Sequence, residues 1–313
     1  MNLTTTTATL PASTIANLAA WTAAAADALA DNTLRAYRSD SVAFADWGAL
    51  GQLVTLPAAP ETVVQFLKAQ STSGLAVATI RRRASSIGRL HTAAGLPNPC
   101  THELVRLALK GIARNRGTDQ KQAAPITQRD AITIAARLGN ATKDLRDLAL
   151  LLVGRDLLAR SAELVSLTVA DLELDTDGAV VTLRRAKTST EAVPYFIGRD
   201  AAKALAAWLD RAGITSGAVF QSLTKGGNAT GRAIDTRDVR RILKSVATNC
   251  GIEHAGAVSG HSLRVGMAQD LVAADLDLAS VMQAGGWASP AMVARYSAKV
   301  SARRGAVARF YQR

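Results

Sequence analysis

Only one stretch of this 313-residue chain has the sequence of paired β-strands, and this limits its fold more than any other feature. The stretch is GAVVTLRRAKTSTEAVPYFI, residues 178–197, in which two β-rich runs flank a polar turn. Elsewhere, apolar residues recur at spacings of three and four, as in amphipathic helices. Aromatic residues make up only 4% of the chain, which disfavours a large β-sandwich core. We therefore predict a mainly α protein with one small antiparallel β-hairpin.

A polar segment near the middle of the chain interrupts the helical pattern. Residues 115–126 include the run NRGTDQKQAAP, which contains Gly and Pro and lacks apolar periodicity, so we predict a linker there. Residues 14–114 then form a helical domain, and residues 127–313 form a second, mostly helical domain that contains the hairpin. Residues 1–13 cannot bury enough apolar surface to fold, and we predict a flexible arm.

The chain is strongly basic, with 37 Lys and Arg against 25 Asp and Glu and a net charge of +12. Such a surface attracts polyanions, and nucleic acid is the leading candidate partner. Between residues 75 and 122, nine basic residues stand against two acidic ones. A solvated basic helix would explain part of this excess, but its recurrence favours contact with DNA. The DNA-contacting residues that we predict are Arg35, Arg38, Arg81, Arg82, Arg83, Arg89, Arg237 and Arg240.

The cysteines and the amino-terminal segment bear on metal binding and location. Cys100 and Cys250 are the only cysteines, and no CxxC or Cys/His cluster predicts a metal site. Two separate thiols fit a reducing cytoplasm. The first 34 residues contain no Lys or Arg, so the positive flank of a signal peptide is missing, and no apolar run is long enough to span a bilayer. We expect a cytoplasmic protein without membrane contact.

Two motifs in the first half of the second domain carry groups suited to phosphate chemistry. In LLARSAELVSL, Arg160 and Glu163 stand three residues apart at a predicted helix start, where the carboxylate can orient the guanidinium. Lys187 lies in the polar turn of the hairpin, where a flexible ammonium can give a proton to a leaving oxygen. Each has an ordinary alternative, namely a surface ion pair and a solvated lysine.

Two further motifs lie near the carboxyl end. In GHSLRVG, His261 and Arg264 project from one helical turn, a poor arrangement for ion pairing but a good one for binding phosphate. In MQAGGWASPAMVARY, the two glycines predict a helix end, and Ser289 and Pro290 predict the start of a short helix that carries Tyr296. Taken alone, this tyrosine would be read as a core residue.

Together these residues resemble the signature of the tyrosine recombinase (phage integrase) family, which is Arg, Lys, His-x-x-Arg, His or Trp, then Tyr. The six matching positions are Arg160, Lys187, His261, Arg264, Trp287 and Tyr296. Two longer segments, GHSLRVGMAQDLVAADLDLASVMQAGGW and GLAVATIRRRASSIGRLHTAAGLPNP, also resemble members of this family. The resemblance covers roughly residues 31–310.

The resemblance implies a mechanism. Tyr296 attacks the scissile phosphate and forms a 3′-phosphotyrosine beside a free 5′-hydroxyl, without metal, ATP or other cofactor. Arg160 and Arg264 hold the phosphate, and Trp287 adds a hydrogen bond. Lys187 protonates the leaving oxygen, His261 assists the tyrosine or holds the phosphate, and Glu163 positions its neighbours.

The resemblance also implies an architecture and an assembly. The family fold is a two-domain C-shaped DNA clamp, with a helical core-binding domain and a catalytic domain on opposite faces of the duplex. A monomer in solution would bind as a dimer to each inverted-repeat site and form a homotetramer that exchanges strands through a Holliday junction. Arg82, Arg237 and Arg240 are the candidates for reading bases. A DNA relaxase or resolvase with the same chemistry, a catalytically inactive DNA-binding regulator and an unrelated basic helical protein remain alternatives.

Overall fold

A computed structural model describes residues 10–118, 122–183, 192–303 and 305–311. The chain divides into two compact units, Met1–Gln120 and Lys121–Arg313. Both are mostly helical, and the β-structure described is confined to small antiparallel sheets, which confirms the mainly α prediction. Lys187 and most of the predicted amino-terminal arm lie outside the described residues.

The first unit is built around five α-helices in its described part. They are α1 (Ala12–Ala28), α2 (Asp31–Leu50), α3 (Pro60–Thr72), α4 (Val77–Ala93) and α5 (Glu103–Arg116), with a 3₁₀ turn at Pro99–Thr101. Helix α2 packs on α4 and α3 packs on α5, around a core that includes Phe44, Phe66, Ile80 and Ile87. Helix α1 begins two residues inside the predicted arm, and α5 ends two residues inside the predicted linker.

A buried histidine joins α4 to the segment before α3. His91 is fully buried, and its Nε2 accepts a hydrogen bond of 2.9 Å from the backbone N–H of Ala58. Because that nitrogen must be unprotonated, Nδ1 carries the proton and donates to the carbonyl of Ile87 at 2.8 Å. Burial lowers the pKa of His91, so the ring is neutral in the folded unit.

This histidine should make the first unit sensitive to acid. The unfolded chain takes up a proton near the ordinary pKa of 6.5, whereas the folded chain resists it, so stability falls as pH drops below that value. Well below pH 6.5, but above the lowered pKa of the folded state, the free energy of unfolding should fall by about 1.4 kcal/mol per pH unit. We expect amide hydrogen exchange of α4, corrected for intrinsic rates, to accelerate on acidification in the wild type and less in His91→Gln. The exposed His254 supplies the control, His254→Gln, and equal pH dependence in His91→Gln and wild type would contradict the assignment.

The second unit contains nine α-helices and five strands in its described part. The helices are α6 (Gln128–Arg137), α7 (Thr142–Asp156), α8 (Ser161–Ser166), α9 (Arg199–Ala212), α10 (Thr236–Asn249), α11 (Ser262–Ala273), α12 (Leu278–Gly285), α13 (Pro290–Arg303) and α14 (Ala306–Tyr311). The strands are β1 (Leu172–Leu174), β2 (Gly178–Leu183), β3 (Val193–Gly198), β4 (Gln221–Leu223) and β5 (Ala229–Ala233). Short 3₁₀ turns occur at Val169–Asp171 and Ala255–Ala257.

The predicted hairpin is present as β2 and β3, which pair antiparallel with Val181 opposite Tyr195. The sequence did not reveal β1, which extends this sheet, or the separate β4–β5 pair. The three-stranded sheet packs on α9, and α9 packs on α7 around the fully buried Trp208. The indole N–H of Trp208 donates to the carbonyl of Val219 at 2.8 Å, so the core tryptophan has its polar group satisfied.

The segment 122–128 runs along α11. The N–H of Ile126 donates to the carbonyl of Ser262 at 3.0 Å, and a Cβ at Gly266 would lie 1.9 Å from the Ile126 carbonyl oxygen. Glycine is therefore required at this crossing. Buried Arg155 of α7 ties the segment down through Ile126, Asp270 and the side chain of Gln128.

None of the helices in the described ranges is long and apolar enough to cross a membrane.

Candidate active site

Arg160 and Glu163 form a fixed pair at the start of α8. Arg160 is the residue that precedes the helix, and its backbone N–H donates to one oxygen of the Glu163 carboxylate at 2.7 Å. Its Nη1 donates to the other oxygen at 2.5 Å. The carboxylate is buried, whereas the arginine side chain is 42% exposed. Glu163 therefore holds a half-exposed guanidinium in place, as the spacing of three predicted.

His261 and Arg264 occupy the first turn of α11. His261 immediately precedes the helix, and its side chain is exposed. Partial desolvation lowers the pKa of this imidazole, and the positive charges of Arg264 and Arg160 lower it further. The ring is therefore neutral near pH 7 and can accept a proton. The residue before His261, Gly260, lies against the start of α8, because a Cβ added there would be 2.3 Å from the Oγ of Ser161, the residue after Arg160.

Arg264 is buried and anchored by the backbone. Its Nη1 donates to the carbonyl of Leu158 at 2.6 Å, and its Nη2 donates to the carbonyl of Gly285 at 2.5 Å. The guanidinium carbon lies 4.5 Å from the centroid of the Trp287 ring. A guanidinium held on two carbonyls and an aromatic face keeps a single orientation, which suits a group that binds a planar array of oxygens.

Trp287 connects this arginine to the tyrosine. Its ring centroid lies 5.6 Å from that of Tyr296 at an interplanar angle of 48°. Helix α12 ends as predicted, with Gly286 in the left-handed conformation at φ 59°, and the indole of Trp287 folds back against Gly285. Helix α13 then begins at Pro290 and carries the half-buried Tyr296 as its seventh residue.

The structure thus brings together six of the seven predicted catalytic residues: Arg160, Glu163, His261, Arg264, Trp287 and Tyr296. They follow one another from α8 through the start of α11 to α13. Hydrogen bonds and ring contacts join the residues at each end of this series, and the backbone beside His261 packs against the start of α8. The seventh, Lys187, lies outside the described residues. The sequence matches the Phage integrase family over residues 125–303, which is more than half of the chain and includes all these positions.

The chain belongs to the phage integrase family. It is a tyrosine recombinase, an enzyme that cleaves and rejoins DNA. The integrase/recombinase xerD homolog of Selenomonas ruminantium is 33% identical in an alignment of 281 residues that covers 85% of this chain and 81% of that protein. Recombinase cre of Escherichia phage P1 is 28% identical in an alignment of 307 residues that covers 91% of this chain and 89% of that protein.

Solved structures show the same fold at low identity. The Tn1549 transposon integrase in complex with transposon right end DNA has a TM-score of 0.65 and 14% identity, and the match covers 92% of this chain and 98% of that one. A lambda integrase dimer bound to a COC′ core site has a TM-score of 0.61 and 14% identity, with 90% and 76% covered. At this identity the likeness shows the fold alone.

The recombinase carries several of the predicted DNA-contacting arginines on α2 and α4. Arg35, Arg38, Arg81, Arg82 and Arg89 are exposed, whereas Arg83 is half-buried. Within the described part of the chain, no acidic side chain pairs with Arg81 or Arg89. These guanidinium groups are therefore available to phosphates.

Arg82 is held by a carboxylate that sequence reasoning missed. Asp40 of α2 is fully buried; its Oδ2 forms an ion pair with Arg82 Nη1 at 2.9 Å and accepts a hydrogen bond from Ser86 Oγ at 2.8 Å. Arg83 Nε lies 3.7 Å from the other carboxylate oxygen. An aspartate in the middle of an amphipathic helix, facing its apolar side, was the available signal, because a buried carboxylate requires a partner.

The two predicted arginines of α10 differ in their surroundings. Arg237 is exposed and donates from Nε and Nη2 to the Asp235 carboxylate at 3.1 and 3.0 Å. Arg240 is exposed one turn further along the helix. An ion pair at the surface contributes little to stability and exchanges readily for a phosphate.

Proposed function

We propose that this recombinase acts at a specific DNA site through Tyr296. The tyrosine oxygen attacks phosphorus, the bond from phosphorus to the 5′ oxygen breaks, and the 5′ oxygen leaves with a proton as a free hydroxyl. The 3′-phosphotyrosine keeps the energy of the broken ester, and attack by another 5′-hydroxyl releases the tyrosine and rejoins the strand. The observation that carries this proposal is the series of contacts from Arg160 to Tyr296.

In this proposal, the two arginines stabilise the charge of the transition state. Arg160, oriented by Glu163, and Arg264, anchored on Leu158 and Gly285, hold the non-bridging oxygens. Trp287 contributes its indole N–H. Neutral His261 assists removal of the tyrosine proton, which the lowered pKa of its ring supports.

We further propose that Lys187 supplies the proton to the departing 5′ oxygen. Lys187→Ala should slow cleavage of ordinary DNA. Its cleavage rate should recover on a substrate with sulfur at the bridging 5′ position, because a thiolate leaves without a proton. The rates of single-turnover cleavage on the two substrates provide the measurement. Equal defects on both would remove Lys187 from the acid role.

The first unit is proposed to be the core-binding half of a C-shaped clamp around DNA. Exposed Arg81 and Arg89 on α4, with Arg35 and Arg38 on α2, supply a basic surface. For each tenfold rise in salt concentration, the association constant should fall by about 0.9 logarithmic units per phosphate neutralised. Arg82, aimed by Asp40, and Arg237 and Arg240 on α10 are proposed to read bases, since arginine can pair with guanine in the major groove.

We also propose a Cre-like assembly with inverted-repeat arms. A monomer free in solution would bind as a dimer per site and as a tetramer during exchange through a Holliday junction, in the cytoplasm and on the nucleoid. Supporting this, α14 exposes 72% of Val307, 71% of Phe310 and 81% of Tyr311. An apolar surface of this kind is typical of an interface between protein chains. The neighbours solved with DNA, including the lambda integrase dimer on its core site, are consistent with a DNA partner.

The test is to recover the site and then to use it. Genomic fragments trapped covalently on the protein are sequenced, and two copies of the recovered site are placed in one supercoiled plasmid. A recombinase deletes or inverts the DNA between the copies. Relaxed plasmid without exchange would indicate a relaxase, capped ends would indicate a hairpin-forming resolvase, and bound but uncut DNA would indicate a regulator.

A further inference from the structure

Two side-chain amides converge on the backbone carbonyl of the tyrosine itself. Gln269 of α11 donates from Nε2 to the carbonyl oxygen of Tyr296 at 2.9 Å. Gln122, in the segment that runs along α11, places its Nε2 at 3.5 Å from the same oxygen. A helical carbonyl has two lone pairs, so it can accept from a side chain in addition to its own helical partner.

This contact joins the two helices that carry the reacting groups. His261 immediately precedes helix α11, Arg264 lies in its first turn, and α13 carries Tyr296. Helix α13 packs through a small cluster separate from the main core, which includes Val293 and the flexible side chain of Met292. Apolar contacts of this kind allow small shifts along a helix, whereas a hydrogen bond of 2.9 Å fixes one position.

We propose that Gln269 is a positioning residue for DNA cleavage. Its amide fixes the position of α13 along α11. This position determines the distance from the Tyr296 hydroxyl to the phosphate held by Arg264. Gln122 adds a weaker donor to the same carbonyl. This inference rests on the proposed role of Tyr296 as the nucleophile. A misplacement of about 1 Å in a reacting group can cost on the order of 100-fold in rate.

The test uses two substitutions at Gln269 that distinguish the effect of its hydrogen-bond donor from the effect of its side-chain shape. Gln269→Glu keeps the shape but replaces the donor by a carboxylate oxygen that repels the carbonyl. Gln269→Lys changes the shape but keeps a flexible donor. The exposed Gln283 of α12 supplies the matched control Gln283→Glu, which makes the same substitution at a surface position of the same unit. Circular dichroism and urea unfolding establish that each variant is folded.

The measurement is the single-turnover rate of covalent adduct formation at saturating DNA, with the dissociation constant measured separately. Gln269→Glu should be slower by about 10- to 100-fold with unchanged affinity, while Gln269→Lys and Gln283→Glu stay near wild type. A wild-type rate for Gln269→Glu, or equal defects in Gln269→Glu and Gln269→Lys, would overturn the inference alone. Absence of any adduct with the wild-type protein would overturn the proposed function and this inference with it.

Discussion

Replacement of Tyr296 by phenylalanine is expected to abolish covalent attachment to DNA and leave DNA binding intact. The phenol oxygen is the only non-hydrogen atom removed, and it is the atom proposed to attack phosphorus. The ring packs beside Trp287 with its centroid 5.6 Å away, and phenylalanine can keep that packing. The covalent adduct is measured on denaturing gels, and DNA binding is measured as a mobility shift on native gels.

A matched control is available in the same unit. Tyr195 lies in β3 and packs against the main core rather than the Trp287 cluster. Tyr195→Phe removes the same hydroxyl from a different place and should retain adduct formation. If Tyr296→Phe still forms an adduct at the wild-type level, another side chain is the nucleophile and the assignment is wrong.

Substitution of Arg264 by lysine should have the second largest effect. Arg264 is 2% exposed, and its guanidinium bridges the carbonyls of Leu158 and Gly285 while lying over Trp287. Lysine keeps the charge but cannot form both backbone bonds and still present donors to a phosphate. We expect the cleavage rate to fall by about 10²- to 10³-fold, the range found when one preorganised transition-state donor is lost.

The control for this change is Arg211→Lys. Arg211 is exposed and also donates to a backbone carbonyl, that of Asn140 at 2.9 Å, but lies on α9 away from the site. The Arg211→Lys variant should cleave DNA at the wild-type rate. Because Arg264 also ties α11 to the end of α12, urea unfolding must accompany the kinetics. A folded Arg264→Lys variant that cleaves as fast as wild type would contradict the phosphate role.

Local sequence patterns were enough to predict much of the site. The spacing of three between Arg160 and Glu163 is realised as a carboxylate holding both the backbone and the side chain of the arginine. The glycine pair gives the helix end at Gly286, and Pro290 begins the next helix. These features depend on interactions within one or two turns of chain, which is why they can be read from sequence.

Other features depend on contacts that sequence spacing does not contain. Arg264 is anchored by carbonyls 106 and 21 residues away, and Asp40 meets Arg82 only because α2 and α4 pack together. The β4–β5 pair was missed because both strands are short and β5 is almost entirely exposed, with glycines in β5 and in the turn before it. Such elements form through tertiary pairing rather than local propensity.

The central claim is the bond between Tyr296 and DNA, and mass spectrometry of the trapped complex tests it most directly. The protein is incubated with DNA in EDTA, denatured, and digested with nuclease and trypsin. Trypsin cuts after Arg295 and releases a short peptide that begins with Tyr296. We predict a 3′-linked nucleotide on that tyrosine. A nucleotide on any other side chain, such as the neighbouring Ser297, would contradict the mechanism.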